Sequence, residues 1–225
     1  MHRGFIVRAN VWHGACREQQ LVAKRPRHRT ITTQGEQGAT CAPNLLQQDF
    51  HADEPNQKWV SDTTSIWTQE GWLFLAVVLD LFSRMVVGWS MAAVQDATLV
   101  INALSMALAR RCPQAGLLVH SDRGSTYTSE CYRDLLQQNG IQASMSRTAN
   151  CYDNAAAESF FHSLKGECLD QESFQTRDQA RNCTFDYIEA FYNRTRRHST
   201  LQYLSPVEFE DRWDDLHILP LYETG

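Results

Sequence analysis

The sequence predicts an α/β fold in which a five-stranded mixed sheet carries helices on its faces. Residues 59–91 contain three apolar runs separated by short turns, a pattern typical of an antiparallel meander: WVSDTTSIW, WLFLAVVLD and MVVGWSM. Residues 96–192 then alternate between helical periods and two short strands. Alternation of this kind adds two strands to the sheet and places helices against it.

Each element after the meander has its own signal. Apolar residues recur at helical spacing in 96–111, a segment that begins at Asp96 and ends in two arginines. Asn139-Gly140 closes the second helix, and Ser205-Pro206 begins the last one. The predicted elements are, in order, helix 96–111, strand 117–120, helix 128–139, strand 141–145 and helices 154–168, 176–192 and 205–215.

Composition divides the chain into three parts. Residues 1–55 form a basic arm without strong periodicity, residues 56–210 hold the predicted core with its C-terminal helices, and residues 211–225 form an acidic tail. The net charge of −5 is unevenly distributed, since residues 1–30 carry +6 and residues 208–225 carry −5. Contacts with phosphate depend on local patches, so an acidic total does not exclude a nucleic-acid partner.

Composition also excludes several classes of protein. No apolar run reaches the roughly 18 residues that span a bilayer; the longest, WLFLAVVLDLF, is interrupted by Asp80. The N-terminus makes a poor secretory signal. Seven scattered cysteines without a CxxC pair indicate reduced thiols and argue against a zinc site. We therefore expect a cytoplasmic protein with no membrane association.

Three acidic residues stand in distinctive surroundings. Asp62 lies inside a predicted strand, where aspartate is depleted, Asp122 ends another strand, and Glu158 lies on the helix over 154–168. Three carboxylates in one place would repel one another unless a cation neutralised them. Mg²⁺ is the natural occupant, because it binds oxygen ligands and often sits between carboxylates and phosphates. The three acids thus predict metal-dependent phosphodiester chemistry on nucleic acid.

Two of the three acids also have an ordinary structural interpretation. Asp122 could cap the turn before Gly124, and Glu158 could be an exposed residue with a neighbour one helical turn away. A fourth acid, Asp80, closes a strand before a tight turn. We interpret Asp80 as a turn-capping residue, with a spare metal ligand as the alternative.

Helical geometry places Glu158, His162 and Lys165 within about 60° of one another on one face of their helix. An adjoining stripe about 100° wide is apolar and predicts the surface that packs on the sheet; its members are Ala157, Phe160, Phe161, Leu164 and Cys168. Glu158 is therefore expected at the border of the buried face. His162 and Lys165 are expected to point to whatever binds outside.

The segment NRTRRHS is a second candidate for nucleic-acid contact. It groups Arg194, Arg196 and Arg197 with His198, and clustered arginines suit two-point contact with phosphate. A solvated helix end is the alternative. A covalent nucleophile is poorly supported. The segment RRHSTLQY contains a tyrosine, but no other group of arginine and histidine supports a tyrosine recombinase. Ser121 has no evident base that could activate it.

Five ordered phrases between residues 41 and 210 carry a family resemblance: WVSDTTSIW, GWLFLAVVLDLFSRMVVGWSM, HSDRGSTYTS, SRTANCYDNAAAESFFHSLKGE and YIEAFYNRTRRHSTLQYLSPVEFE. They resemble the catalytic reading frame, often called OrfB, of bacterial insertion-sequence transposases related to retroviral integrases. The resemblance implies a ribonuclease H-like fold and the triad of acids known as DDE, here Asp62, Asp122 and Glu158. It also places Lys165 where related integrases carry a DNA-contacting lysine.

The resemblance further implies an activity and partners. Two Mg²⁺ ions, or Mn²⁺, held by the three acids would serve the cutting of DNA at element ends and the joining of a 3′-hydroxyl to target DNA. A homo-oligomer on DNA is expected, because transposition holds two ends together, and so is a location at the bacterial nucleoid. CREQQLVAKRPRHR resembles the end of a helix-turn-helix region. The arm is therefore interpreted as a remnant, with a partner helix-turn-helix protein as the source of the missing part.

Two alternatives stay open at the level of sequence. One is a truncated, catalytically inactive DNA-binding remnant, and the other is a ribonuclease H-like nuclease that hydrolyses but never joins strands. The sequence also departs from the family pattern at six positions, Thr63, Ser65, Arg123, Thr126, Ala149 and Gln202. None of these changes removes an acid of the triad. Ala149 and Gln202 replace usual glycines and are expected to stiffen their loops.

Overall fold

The computed structural model describes residues 41–147 and 151–218 and contains a five-stranded mixed sheet. The strands are β1 (Lys58–Thr68), β2 (Gly71–Asp80), β3 (Val86–Ala92), β4 (Leu118–Ser121) and β5 (Gln142–Met145). They lie in the order β3-β2-β1-β4-β5. The pairs β1-β2 and β2-β3 are antiparallel, whereas β1-β4 and β4-β5 are parallel. The predicted architecture and its five strands are confirmed.

The helices are α1 (Ala97–Arg111), α2 (Ser125–Thr128), α3 (Glu130–Gln138), α4 (Ala155–Glu167), α5 (Arg177–Phe185) and α6 (Pro206–Ile218). The helix predicted over 128–139 is shorter than expected, because Ser129 is extended, with φ −59° and ψ 146°, and separates α2 from α3. The helix predicted over 176–192 begins with a capping box at Thr176, as α5, but continues after Phe185 as a π-helix over Asp186–Tyr192.

Each face of the sheet carries a hydrophobic core. Side chains alternate along β1, so Trp59 packs with α1 and α3 on one face, and Val60 packs with α4 and α5 on the other. Gly88 of β3 lets α1 approach closely, because a Cβ atom at this position would stand 2.3 Å from the carbonyl oxygen of Ala103. The two cores hold β1 and β4 at the centre of the molecule.

Asp80 ends β2 and is completely buried. It accepts hydrogen bonds from the backbone N–H groups of Asn56, at 2.8 Å, and Phe82, at 2.9 Å. The Nη2 atom of Arg111 lies 3.6 Å from its Oδ2 atom. These contacts fix the turn after β2, so the turn-capping interpretation of Asp80 is confirmed.

The expected division of the chain is described only in part. Residues 1–40, most of the basic arm, lie outside the described residues, as do Ala149 and residues 219–225. Helix α6 continues to Ile218, past the expected boundary at 210/211. The three-part division therefore stays a prediction. In the ranges that the structure describes, no helix is long and apolar enough to cross a bilayer.

Candidate active site

Asp62 lies on β1, and Asp122 directly follows the neighbouring parallel strand β4, which ends at Ser121. β1 and β4 pair Lys58 with Leu118 and Val60 with His120. The same register, continued two residues further, places Asp62 opposite Asp122. Because neighbouring strands lie about 4.8 Å apart, the backbones of the two predicted aspartates are adjacent at the end of the parallel ladder.

Alternation along the strands assigns both aspartate side chains to the face of the sheet that α4 covers. Val60 and Leu118 pack in the core beneath α4. Side chains two residues apart on a strand share a face, so Asp62 follows Val60. The same alternation, continued from Leu118 past the end of β4, gives Asp122 that face too. A helix lying across this face is therefore in reach of both.

The turn that leaves β4 fixes Asp122. Its Oδ1 atom accepts the N–H of Gly124 at 2.8 Å, and a Cβ atom at residue 124 would stand 2.9 Å from the same oxygen. Within the described residues, no hydrogen bond reaches its Oδ2 atom. Burial raises the pKa of Asp122, and the Gly124 N–H opposes this effect. The carboxylate is thus held by one oxygen, and its charge is incompletely compensated.

Glu158 approaches the same region on α4. The Asn154 side chain, just before this helix, donates to the carbonyl oxygen of Ser61 at 3.5 Å, which ties the start of α4 to the residue before Asp62. Glu158 follows about one turn later. It is half-buried, next to the buried Ala157, whereas His162 is exposed. The expected position of Glu158 at the border of the buried face is confirmed.

Tyr127 of α2 interacts electrostatically with both aspartates. Its ring is buried, and its hydroxyl lies 3.1 Å from the Oγ atom of Ser61. Burial is the main cause that raises the pKa of Tyr127, and the negative charges of Asp62 and Asp122 raise it further. Both carboxylates therefore act on the same point in the interior.

Two buried residues that the sequence analysis did not single out support these elements. The ring nitrogens of His120 lie 2.8 Å and 3.0 Å from the hydroxyls of Ser144 and Ser146 on the β5 side, and burial lowers the pKa of His120 to about 4. Asp153, completely buried just before α4, accepts the N–H of Arg147 at 2.9 Å. A histidine inside an apolar strand was the available signal, since such a residue needs buried partners.

The carboxylates of Asp62, Asp122 and Glu158 are suitable ligands for a hard cation, but their side chains are not grouped as a complete metal site. All three candidate ligands offer carboxylate oxygens, which Mg²⁺ and Mn²⁺ prefer. Among residues 41–147 and 151–218, no three His, Cys, Asp or Glu side chains are grouped closely enough to hold a metal ion. The incompletely compensated charge of Asp122 and the absence of a described hydrogen bond to its Oδ2 atom fit a cation there.

Four of the predicted DNA contacts are accessible from solvent. His162 is exposed and Lys165 is half-buried, both on α4. Arg194 and Arg197 are exposed after the π-helix, and Arg197 donates to the carbonyl oxygen of Tyr203 at 3.1 Å.

Arg196 and His198 are engaged inside the protein. Arg196 forms a two-point ion pair with Glu167, with Nε–Oε2 at 2.8 Å and Nη2–Oε1 at 2.7 Å. The ring of His198 packs edge-to-face on Tyr192. Burial, aided by the charge of Arg196, lowers the pKa of His198 to about 4, so the ring is neutral near pH 7. Local spacing alone gave no sign of these partners.

The mixed sheet, with helices on both faces and Asp62, Asp122 and Glu158 near the end of its parallel strands, is the architecture of integrase cores. A family model described as "Integrase core domain" matches residues 52–151, and a second with the same description matches residues 158–213. The HTLV-2 integrase catalytic core domain in complex with magnesium has a TM-score of 0.53 at 16% identity and covers 71% of this chain and 99% of its own. A chain of the simian T-cell lymphotropic virus intasome has a TM-score of 0.58 at 16% identity. The match covers 84% of this chain and 63% of the intasome chain. The fold is ribonuclease H-like.

Transposase InsF for insertion sequence IS3A, from Escherichia coli (strain K12), is 46% identical over 210 residues, which are 93% of this chain and 73% of that protein. The insertion element IS600 uncharacterized 31 kDa protein from Shigella sonnei is 44% identical over 200 residues, 89% of this chain and 74% of that protein. This chain belongs to the family of insertion-sequence transposases with an integrase core. The family resemblance found in the sequence is confirmed.

Proposed function

We propose that this chain is the catalytic part of a DDE transposase, which cuts DNA at the ends of its element and joins the resulting 3′-hydroxyl to target DNA. The observation that supports the proposal is the parallel register of β1 and β4, which pairs Val60 with His120 and, continued for two residues, brings Asp62 opposite Asp122. Identity of 46% with an InsF transposase supports the same activity.

Asp62, Asp122 and Glu158 are the proposed catalytic acids and metal ligands. Their oxygens would hold two Mg²⁺ ions, or Mn²⁺. Bound ions of this kind activate the attacking oxygen and neutralise charge on the leaving oxygen. The HTLV-2 integrase core, described in complex with magnesium, supports the choice of metal.

The rest of the chain positions these acids. The Gly124 N–H orients one oxygen of Asp122, and the Asn154 to Ser61 hydrogen bond sets the start of α4. The buried ring of Tyr127 would exclude water from the interior next to the aspartates. In the cutting step a water oxygen replaces the 3′-oxygen at phosphorus; in the joining step the 3′-hydroxyl attacks a target phosphate and displaces its 3′-oxygen. In both steps the attacking group gives its proton to solvent, and the leaving 3′-oxygen takes a proton from solvent to become a hydroxyl.

DNA would lie along the exposed side of α4 and the segment after the π-helix. His162, Lys165, Arg194 and Arg197 would contact phosphates there, and such contacts position DNA without reading its sequence. We also propose that the protein acts as a homo-oligomer on DNA, at the nucleoid, with a partner helix-turn-helix protein that recognises the element ends. HTLV-2 integrase cores described in trimeric and dimeric forms support oligomerisation.

A nicking and strand-transfer assay tests the proposal, with DNA that carries the ends of the parent element and with Mg²⁺ or Mn²⁺. We expect nicked and joined products, and a loss of at least about 10²-fold in both rates for Asp122→Asn. Asp134→Asn is the matched control, because Asp134 is exposed on α3, across the sheet from α4.

The outcomes separate the alternatives. Full activity of Asp122→Asn, or in excess chelator, would reject the proposed mechanism. Nicking that is never followed by joining identifies a nuclease. Firm DNA binding without cleavage under any metal condition identifies an inactive remnant.

A further inference from the structure

A second concave site lies between α4 and the segment after the π-helix. Its volume is about 510 Å³, within the range of roughly 300–1,000 Å³ that is usual for ligand sites. Its lining includes three arginines, Arg84, Arg196 and Arg197, and no carboxylate among the described residues. The cavity therefore has a positive field.

Arg196 contributes little to this field, because Glu167 neutralises it through the two-point ion pair. Among the described residues, Arg197 donates only to the carbonyl oxygen of Tyr203, at 3.1 Å. Arg84 forms no ion pair with any carboxylate in the described part of the chain. The positive charge of the cavity is thus mainly that of Arg84 and Arg197, which interact electrostatically with Asp80 and Glu208, respectively, but form no ion pair with them in the described part of the chain.

Arg84 is the more unusual of the two. It lies in the turn between β2 and β3, is half-buried, and has a φ angle of 62°, a conformation that residues other than glycine rarely adopt. Burial lowers its pKa. A half-buried cation without an ion pair is unfavourable, and strained backbone tends to occur where a ligand binds.

His198 lines the cavity as a neutral ring. The Nη1 atom of Arg196 lies 3.4 Å from its Nδ1 atom. Because a guanidinium can only donate, Nδ1 of the neutral ring accepts and the ring proton lies on Nε2. This Nε2 atom is buried and has no hydrogen-bond partner among the described residues. Because the atom is closed to solvent, the ring of His198 lines the cavity through its other atoms.

We propose that this cavity binds a phosphate ester of a DNA strand, with Arg84 and Arg197 as the cations. Tyr203 lines the rim, is 66% exposed and offers a ring on which the adjoining base stacks. The left-handed Gln202, with a φ angle of 55°, directly precedes it. The proposal rests on the proposed function, because DNA is the source of the ester.

A binding experiment in excess chelator tests the cavity without any contribution from metal. The probe is a fluorescein-labelled single-stranded hexadeoxynucleotide, and thymidine 5′-monophosphate is the competitor. We expect Arg84→Gln, Arg197→Gln and Tyr203→Ala each to weaken binding of the hexanucleotide about tenfold. The matched control is Arg133→Gln, which removes an exposed arginine from α3 and is expected to change binding less than twofold.

Thermal unfolding of each variant checks that it folds. If Arg84→Gln does not fold, the variants at the exposed positions Arg197 and Tyr203 test the proposal. Unchanged binding in the Arg197 and Tyr203 variants, or equal weakening by Arg133→Gln, overturns the proposal. Thymidine 5′-monophosphate and unlabelled hexanucleotide are compared by the concentration that each needs to displace the labelled probe. Equal concentrations would show that the cavity binds a free nucleotide and not a strand. Because no cleavage is measured, an inactive triad leaves this result unchanged, and failure of the cavity leaves the nicking assay unchanged.

Discussion

Arg111 at the end of α1 and Glu210 on α6 form a two-point ion pair, with Nη1–Oε2 at 2.6 Å and Nη2–Oε1 at 2.9 Å. Both side chains are largely buried, with exposed fractions of 17% and 10%. Ser83, in the turn between β2 and β3, donates to the same carboxylate at 2.6 Å. Glu210 thus joins the last described helix to the edge of the sheet.

We expect Glu210→Ala to lower the free energy of unfolding by about 3 kcal/mol, because Arg111 would lose its nearest carboxylate while still largely buried. Urea denaturation followed by circular dichroism measures the change. Asp178→Ala is the control: it removes the partner of Arg181 in an exposed pair at 3.9 Å and should cost less than about 1 kcal/mol. Equal losses in the two variants would show that burial does not decide the strength of the pair.

Gly88 and Gly166 should respond in opposite directions to alanine. A Cβ atom at Gly88 would stand 2.3 Å from the carbonyl oxygen of Ala103 and 2.6 Å from the N atom of Ala107. Gly88→Ala therefore forces α1 away from β3 and should cost about 3 kcal/mol or more. Gly166 lies near the end of α4 with nothing within 4 Å of such an atom, so Gly166→Ala should stabilise by about 0.5 kcal/mol. Melting temperatures of the two variants on the same side of the wild-type value would contradict this.

Sequence patterns could predict the elements of this fold but not the contacts between distant ones. The apolar run of β1 and the Asp96 cap of α1 are local, and both are present as expected. The sequence also singled out Asp62 and Asp122. It could not give their register, because that depends on which strand lies next to β1. Glu167 was missed as the partner of Arg196 because the two lie 29 residues apart.

Asp80 should make stability depend on pH. Burial raises its pKa from 3.8 to about 6, against the hydrogen bonds from Asn56 and Phe82 and the charge of Arg111. The folded state then binds the proton more tightly than the unfolded state, so the contribution of Asp80 is most favourable below pH 4 and is lost as the pH rises to about 6.

Asp80→Asn removes this titration. The free energy of unfolding of the wild type minus that of the variant should fall by about 2–3 kcal/mol between pH 4 and pH 7. Urea denaturation over a pH series measures the difference. A difference that rises over this interval would mean that Arg111 and the N–H groups outweigh burial.

Gly124 should matter for activity more than for stability. Its φ angle of −61° suits any residue, but a Cβ atom would stand 2.9 Å from the Oδ1 atom of Asp122. Gly124→Ala should therefore displace the carboxylate and lower the nicking rate about 10–100-fold. Ser125→Ala, at the exposed next position, is the control and should keep the wild-type rate. A Gly124→Ala variant with the wild-type rate would show that this oxygen has room to move without consequence.

Arg194 and Arg196 should separate DNA contact from internal support. Arg194 is exposed, so Arg194→Gln should weaken DNA binding several-fold and lower the slope of log K against log salt by about 1, with little change in stability. Arg196 is held by Glu167, so Arg196→Gln should instead lower the free energy of unfolding by about 1–2 kcal/mol and leave the salt slope unchanged. Fluorescence anisotropy over a salt series, with urea denaturation of the same proteins, tests both. A lowered salt slope in Arg196→Gln would mean that Arg196 leaves Glu167 to bind phosphate when DNA is present.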